Sequence, residues 1–109
     1  MEHLVALGHQ QIALLAGPLS SVSARLRLAG WHKYLTRNQI QPIAEREGDW
    51  SAMSGFQQTM QMLNEGIVPT AMLVANDQMA LGVMRAITES GLRVGADISV
   101  VGYDDTEDS

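Results

Sequence analysis

The chain has 109 residues, enough for one domain with a single hydrophobic core and too few for two. Hydrophobic residues make up 46% of the chain and charged residues 17%, a composition that is typical of a globular fold and excludes a disordered one. The formal net charge is -5, so there is no excess of basic side chains to neutralise phosphates, and we expect no direct contact with nucleic acid. The absence of cysteine excludes disulfides and thiol chemistry.

The first predicted elements are the end of a helix and a buried strand. The apolar residues at positions 4–7 precede Gly8, which is typical of the last turn of a helix and its C-cap glycine. The run IALLA at Ile12–Ala16 has no polar alternation, which predicts a strand that is buried on both faces. Gly17 and Pro18 then end this strand with a turn.

A helix is predicted next. Serines at positions 20, 21 and 23 offer N-caps for a helix that runs to about Leu35. Arg27 lies in its early turns, where a cation opposes the helix macrodipole, so another contact should compensate. The apolar residues of this helix form two stripes, from which we expect two buried sides: Ala24, Leu28, Trp31 and Leu35 on one, and Val22, Leu26 and Ala29 on the other.

The segment that follows predicts an edge strand and a second helix. Residues 42–47 (PIAERE) are part-polar, which suits a strand at the edge of a sheet. Ser51 is a candidate N-cap for a helix that runs to Glu65 and carries an apolar stripe. Gly48 and Gly66 separate these two elements from their neighbours.

The last third of the chain predicts two more strands with a helix between them. Residues 71–75 (AMLVA) form a second all-apolar run, which ends abruptly at Asn76 and Asp77. Asp77 is the predicted N-cap of an amphipathic helix that runs to about Ile87. The apolar residues at 98–101 complete the pattern with a fourth strand.

Strands and helices alternate along the whole chain, which predicts a three-layer α/β fold with a parallel sheet and helices on both faces. Right-handed crossovers, with the most polar strand at the edge, give the strand order 2-1-3-4, as in a flavodoxin-like fold. We expect residues 1–109 to form one domain. Because both ends of the chain look cut, we expect that domain to be a fragment of a longer protein.

Polar side chains collect at the predicted reversal of strand order, between the first and third strands. Arg27, Asn76 and Asp77 lie there, with Trp50 and Asp104 farther out. Fork-shaped donors and carboxylates suit vicinal hydroxyls, and a flat aromatic ring suits the apolar face of a sugar. A sugar-like ligand is therefore predicted. Nothing in the group resembles a nucleophile elbow, a phosphate-binding loop or a metal-ligand set, so we expect no enzyme activity, no cofactor and no metal.

Each of these residues also has a purely structural explanation. Arg27 could be a surface arginine that pairs with a nearby carboxylate. Asn76 and Asp77 could only cap the helix, Trp50 could only pack a loop, and Asp104 could be solvated. Their shared location at strand ends is what favours a binding site.

One side of the helix that follows the third strand suggests a contact with a partner. Leu81 lies roughly opposite Val83 and Ala86 at about 100° per residue, so it should be exposed. Together with Met84 it predicts a surface for a homodimer. No apolar run is long enough to cross a membrane and the start is no signal peptide, so we expect no membrane contact and a cytoplasmic location.

Four motifs resemble those of one known family. They are EHLVALGHQQIALLAGP, SARLRLAGW, PTAMLVANDQMALGVMRAI and GLRVGADISVVGYDD, and they cover essentially the whole chain. The chain resembles the lac repressor family of bacterial transcriptional regulators, specifically the C-terminal subdomain of the inducer-binding core. That core is similar to periplasmic sugar-binding proteins, with the ligand between two subdomains. The resemblance therefore implies a galactoside inducer as the ligand.

The resemblance also implies roles for individual residues. Arg27, Asn76 and Asp104 match positions that bind sugar hydroxyls in the family, and Ser23 and Trp50 match positions that line the cleft. The helix that carries Leu81 and Met84 resembles part of the family's dimer interface. The family's helix-turn-helix, hinge helix and N-terminal subdomain have no counterpart in this sequence, so the resemblance implies weak inducer binding and no DNA binding by this chain alone.

Two other functions are weighed beside this one. A phosphoacceptor receiver domain has a similar fold, but it needs an acidic pair after the first strand, where this chain has Gly17 and Pro18. The other alternative is an isolated folding or dimerisation fragment that binds no ligand of its own.

Overall fold

Four strands and three helices form the fold, which is described for residues 11–102 in a computed structural model. The strands are β1 (Ile12–Ala16), β2 (Ala44–Glu47), β3 (Ala71–Val74) and β4 (Ser99–Gly102). The helices are α1 (Val22–Arg37), α2 (Ala52–Asn64) and α3 (Asp77–Glu89). The predicted helix end at residues 4–7 and the predicted site residue Asp104 lie outside the described range.

The sheet is parallel throughout and has the order β2-β1-β3-β4, which confirms the predicted fold class and strand order. All residues of the two central strands, β1 and β3, are buried, because a helical layer covers each face of the sheet. The edge strand β2 alternates between partly buried and exposed residues, as its polar sequence predicts.

The crossover directions place the helices in two layers. From β1 to β2 the chain moves in one direction across the sheet, and from β2 to β3 and β3 to β4 it moves in the other. Because such crossovers are right-handed, α1 covers one face and α2 and α3 cover the opposite face. The buried core joins both layers to the sheet through residues such as Trp31 and Leu35 of α1, Met62 of α2, and Met79 and Ile87 of α3.

Two glycines let α2 and α3 pack with their main chains in contact. A Cβ atom on Gly82 of α3 would lie 1.9 Å from the carbonyl oxygen of Ala52, and one on Gly55 of α2 would lie 2.2 Å from that of Met79. No side chain fits at either position without moving a backbone. The two helices therefore form a tightly joined pair.

The prediction that α1 is buried on two sides is wrong. The stripe that contains Trp31 and Leu35 is buried, but Val22 is 61% exposed and Leu26 is 68% exposed. A helix in the outer layer of a three-layer fold meets the sheet with one face only, so the second stripe faces outward in the described structure.

The predicted N-cap of α3 is also wrong by one residue. The cap is Asn76, whose extended backbone (φ -151°, ψ 170°) lets its Oδ1 accept a hydrogen bond from the backbone N–H of Met79 at 2.9 Å. Asp77 is instead the first helical residue, where its carboxylate still interacts favourably with the helix macrodipole. The remaining boundaries all fall within two residues of the prediction; residues 75 and 98, for example, lie one position outside their strands.

Candidate ligand-binding site

The candidate site lies at the carboxyl ends of β1 and β3, where the strand order reverses. The backbone N–H of Ala75 donates to the carbonyl of Leu15 at 3.1 Å, and the N–H of Gly48 donates to that of Ala16 at 2.8 Å. The end of β1 is thus bonded on both sides. This brings the loop after β2 and the start of α3 to the same edge of the sheet, where open α/β folds bind ligands.

Asn76 joins two of these segments through the two ends of its side-chain amide. Its Oδ1 caps α3, and its Nδ2 donates to the carbonyl oxygen of Trp50 at 3.1 Å. The structural explanation for Asn76, that it caps the helix, is confirmed. The second bond goes beyond capping, because it fixes the loop before α2 relative to the start of α3.

Trp50 has an unusual main-chain conformation. Its φ is 78°, in the left-handed region that a bulky residue rarely adopts and that costs of order 1–3 kcal/mol. The bond from Asn76 and the adjacent N-cap of α2 at Ser51 hold this conformation. The far edge of the indole lies against Gly17, so close that a Cβ atom there would be 2.5 Å from Cη2.

Arg27 reaches into this group from α1. Its Nη1 donates to the carbonyl oxygen of Ala75, the residue just before the cap of α3. Its guanidinium carbon lies 5.3 Å from the centroid of the Trp50 ring, within the range of a cation–π contact. These contacts supply the compensation that its position near the start of α1 requires.

The turn between β1 and α1 forms one rim of the site. The backbone N–H of Leu19 donates to a carboxylate oxygen of Glu47 at 2.8 Å, and Arg25 Nη1 donates to the carbonyl of Leu19 at 2.7 Å. Ser21 caps the helix by accepting from the N–H of Ala24 at 3.3 Å. The turn is therefore tied to the end of β2 as well as to its own helix, and Ser23 lies exposed in the first turn of α1.

The loop before α2 carries a carboxylate with a shifted pKa. The side chain of Asp49 accepts hydrogen bonds from the hydroxyl and the backbone N–H of Ser51. These bonds favour the ionised form, and they hold the pKa of Asp49 below its ordinary value of 3.8. Ser51 in turn caps α2 by accepting from the N–H of Ser54 at 3.1 Å, so the ionised Asp49 supports the turn that contains Trp50.

The structure brings three of the five predicted ligand-binding residues into one connected group: Arg27, Trp50 and Asn76. Ser23 lies nearby in sequence on α1, and Asp104 lies outside the described residues. Two parts of the group were not predicted from the sequence, the close approach at Gly17 and the carbonyl of Ala75. A glycine directly after a buried strand was visible in the sequence, but it reads equally well as a turn residue.

The predicted partner surface contains a groove between α2 and α3 with a volume of about 380 Å³. Leu81 is 55% exposed and Met53 is 60% exposed, while Met84 is partly buried. The Arg85 guanidinium carbon lies 5.2 Å from the centroid of the Phe56 ring. The groove is lined by Ala52, Met53, Phe56, Leu81, Gly82 and Arg85. Of the two predicted contacts, Leu81 lines this groove, whereas Met84 lines a neighbouring hollow with Ala80 and Val100. The part of the groove formed by α2 was not predicted from the sequence.

Within residues 11–102, no group of three or more histidine, aspartate and glutamate side chains is arranged to hold a metal ion. No helix in that same range has the length and apolar character needed to cross a membrane.

The fold and the position of the site correspond to a known class. A family model for the periplasmic binding protein-like domain matches residues 1–109, and the chain belongs to this family. Over all 109 residues it is 98% identical to the lactose operon repressor of Escherichia coli strain K12, and it covers 30% of that protein. The resemblance to the lac repressor family that the four motifs indicate is thereby confirmed.

Solved structures agree with the sequence comparison. The chain superimposes with a TM-score of 0.94 on a dimeric lac repressor that has an 11-residue C-terminal deletion, at 99% identity over 99% of this chain and 40% of that one. It superimposes with a TM-score of 0.93 on the lac repressor bound to ONPG in the repressed state, at 99% identity over 99% of this chain and 33% of that one. The chain thus spans about a third of the length of these relatives.

Proposed function

We propose that this chain is the part of a bacterial transcriptional repressor that binds a sugar effector, and that it has no catalytic activity. Arg27, Asn76 and Trp50 contribute directly to the ligand site, with Ser23 and Asp104 as further contacts. DNA is bound by other parts of the longer protein, because a segment with a net charge of -5 cannot neutralise phosphates. The longer protein acts in the cytoplasm, where its operator lies.

The observation that carries this proposal is the connected group at the ends of β1 and β3. Arg27 is oriented by the Ala75 carbonyl and by the Trp50 ring, and Asn76 is oriented by its bonds to α3 and to Trp50. Polar side chains held in place at a switch point are what a sugar site needs, since each ligand hydroxyl then finds its partner without a further cost of ordering. Among the relatives, the lac repressor bound to ONPG supports a ligand of this class.

The test is a titration with ONPG of this chain and of the full-length E. coli repressor. The full-length repressor is titrated both unchanged and with Arg27→Ala at the matching position. The loss of a charged hydrogen-bonding partner should weaken binding by about tenfold or more, since such bonds contribute roughly 1.5–3 kcal/mol. Lys33→Ala, on the same helix, is a control that should leave the affinity unchanged. Equal affinities of the Arg27→Ala variant and the unchanged repressor would refute the role of Arg27.

A thermal melt of the 109-residue chain with and without ONPG decides between the two leading hypotheses. A ligand that binds only the native state must raise its stability, by about 2.7 kcal/mol at a concentration one hundred times Kd. A shift in the melt means that this chain binds ligand by itself. A chain that melts cooperatively without any shift, while the full-length repressor binds ONPG, would favour the alternative of a folding or dimerisation fragment.

We also propose that the surface around the groove between α2 and α3 contacts a second copy of the chain, with Leu81 as a contact in the groove and Met84 as a contact in the neighbouring hollow beside β4. Two largely exposed apolar side chains, Leu81 and Met53, stand beside a groove with a stacked arginine at its rim. Exposed apolar patches of this kind mark protein contacts. A dimeric lac repressor is among the structures that the chain resembles, which supports self-assembly of the longer protein.

Sedimentation at several concentrations tests this surface. Leu81→Ala should shift the chain toward monomer, whereas Leu26→Ala, which removes an equally large side chain that is 68% exposed on the opposite face of the molecule, should not. A chain that stays monomeric at every concentration would refute the surface as a contact of this fragment.

A further inference from the structure

Gly17 is the residue at which the first strand meets the Trp50 ring. An added Cβ atom would lie 2.5 Å from Cη2 and 2.7 Å from both Cζ2 and Cζ3. Carbon atoms normally approach to about 3.5–4.0 Å, so a side chain at this position requires the ring to move by roughly 1 Å. Gly17 has no positive φ that would itself exclude alanine, so the obstacle to a side chain is the contact with the ring.

The Trp50 main chain cannot absorb such a movement. Its carbonyl is held by Asn76 Nδ2, and the next residue, Ser51, is fixed as the N-cap of α2 and bonded to Asp49. The backbone is already in the left-handed region, so few neighbouring conformations are open to it. The displacement must therefore be taken up by rotation of the ring about its side-chain bonds.

Rotation of the ring changes the surroundings of Arg27. The guanidinium carbon lies 5.3 Å from the ring centroid, and a cation–π contact extends to only about 6 Å. A ring that moves by roughly 1 Å takes Arg27 to the limit of that contact or forces the guanidinium to follow. Either change alters the orientation of the residue to which the proposed function assigns the ligand hydroxyls.

We infer that Gly17 is a positioning residue for the ligand site: by lacking a side chain it admits the edge of the Trp50 indole, and through that ring it sets the orientation of Arg27. This inference rests on the proposed function, since it explains how the same site is held in shape. Gly17 itself touches the ring and not the ligand, so its effect on affinity passes through Trp50.

The experiment is a double-mutant cycle at the positions of the full-length E. coli repressor that match Gly17 and Trp50, with ONPG affinity measured by calorimetry. Gly17→Ala should weaken binding by about fivefold or more, in line with the loss of a partly desolvated cation–π contact. Trp50→Phe removes the ring atoms that the new methyl group would meet. In that background, Gly17→Ala should change the affinity by less than about twofold.

Gly30→Ala is the matched control, because a Cβ atom at Gly30 would meet nothing within 4 Å. It should leave ONPG affinity unchanged. If Gly17→Ala weakens binding equally in the original and the Trp50→Phe backgrounds, or leaves it unchanged, the inference is overturned. If Arg27→Ala and Trp50→Phe have no effect either, the proposed function fails as well, so the two failures are distinguishable.

Folding of the Gly17→Ala variant is read separately from a thermal melt. If that variant does not fold, the double variant with Trp50→Phe should recover a cooperative melt, because the obstructing ring atoms are gone, and this recovery would support the inference. Failure of the double variant to fold, while Trp50→Phe alone folds, would overturn it, since the damage would then not pass through the Trp50 ring.

Discussion

Gly82→Ala should destabilise the fold although alanine is the better helix residue. Gly82 lies within α3, where replacement of glycine normally stabilises a helix by about 0.5–1 kcal/mol. The new methyl carbon would however lie 1.9 Å from the Ala52 carbonyl oxygen and 2.7 Å from the backbone nitrogen of Phe56. Both are main-chain atoms of α2, so α2 and α3 must separate before the methyl group fits.

The expected magnitude follows from these two opposing effects. Overpacking of a closely packed contact typically costs about 1–3 kcal/mol, and the gain in helix propensity offsets about 0.5–1 kcal/mol of it. The net loss in the free energy of unfolding is then roughly 0–2.5 kcal/mol, toward the upper end because the obstruction is backbone. In a small domain with a stability of about 5–15 kcal/mol, this loss is readily measured.

Urea denaturation of the chain, followed by circular dichroism, is the assay, with Gly30→Ala as the reference. Gly30 lies in α1 with open space around it, so its replacement should raise the free energy of unfolding by about 0.5–1 kcal/mol. The two variants carry the same chemical change in helices of the same chain. A Gly82→Ala variant that is as stable as Gly30→Ala would refute the argument that the α2 and α3 main chains are in contact.

Two further predictions concern the polar groups of the site. Asn76→Asp keeps the cap on α3 but replaces the donor to the Trp50 carbonyl with an acceptor. In the full-length repressor it should weaken ONPG binding and leave the melting temperature nearly unchanged. Asn76→Ala should lower both the affinity and the melting temperature, because loss of the cap costs about 0.5–2 kcal/mol. The pKa of Asp49 in the folded chain lies below 3.8, so its contribution to stability is complete above that pH and is lost as the pH falls through the folded-state pKa. Asp49→Asn keeps an acceptor for Ser51 but cannot titrate, so its free energy of unfolding should decline less in acid than that of the unchanged chain. An identical decline in both would contradict this role of Asp49.

The fold could be predicted from the sequence because its strongest signals are local. The runs IALLA and AMLV are apolar without alternation, and glycines or N-cap serines separate them from the helices. Handedness of the crossovers then leaves few topologies, and the polar sequence of β2 selects the edge. These rules do not depend on how side chains meet in space, which is why they sufficed for the order of the strands.

The details of the site depend on contacts that no local pattern contains. Which of Asn76 and Asp77 caps α3 is decided by the backbone at the end of β3, which is extended at the first residue and helical at the second. The partners of Arg27, a carbonyl 48 residues away and the ring of Trp50, become neighbours only when the sheet aligns its strand ends. The predicted burial of the second apolar stripe of α1 was wrong for the same reason, because the spacing of apolar residues does not show whether another element covers them.

Two glycines inside helices, Gly55 and Gly82, mark a tertiary contact, whereas Gly30 in α1 has open space around it. Gly55 and Gly82 each weaken their helix by about 1 kcal/mol relative to alanine, a cost that close packing explains. Their consequence reaches beyond stability, because Trp50 lies just before the N-cap of α2 and Asn76 is the N-cap of α3. Trp50 and Asn76 of the proposed ligand site therefore lie at the N-terminal ends of the same two helices that line the groove, α2 with its first turns and α3 with its middle turns.

Main-chain contact between α2 and α3 leaves little room for one helix to slide past the other. A ligand that shifts Trp50 or Asn76 must then displace the pair as one body, and the groove that contains Leu81 and Met53 moves with it. Coupling between a ligand site and a contact surface requires an element that both sites bias, and we expect the joined helix pair to be that element in this chain. Leu81→Ala would change the contact alone. Gly55→Ala, outside the groove lining but 2.2 Å from the Met79 carbonyl oxygen, would instead separate the two helices. In sedimentation with and without ONPG, it should therefore weaken the dependence of assembly on the ligand.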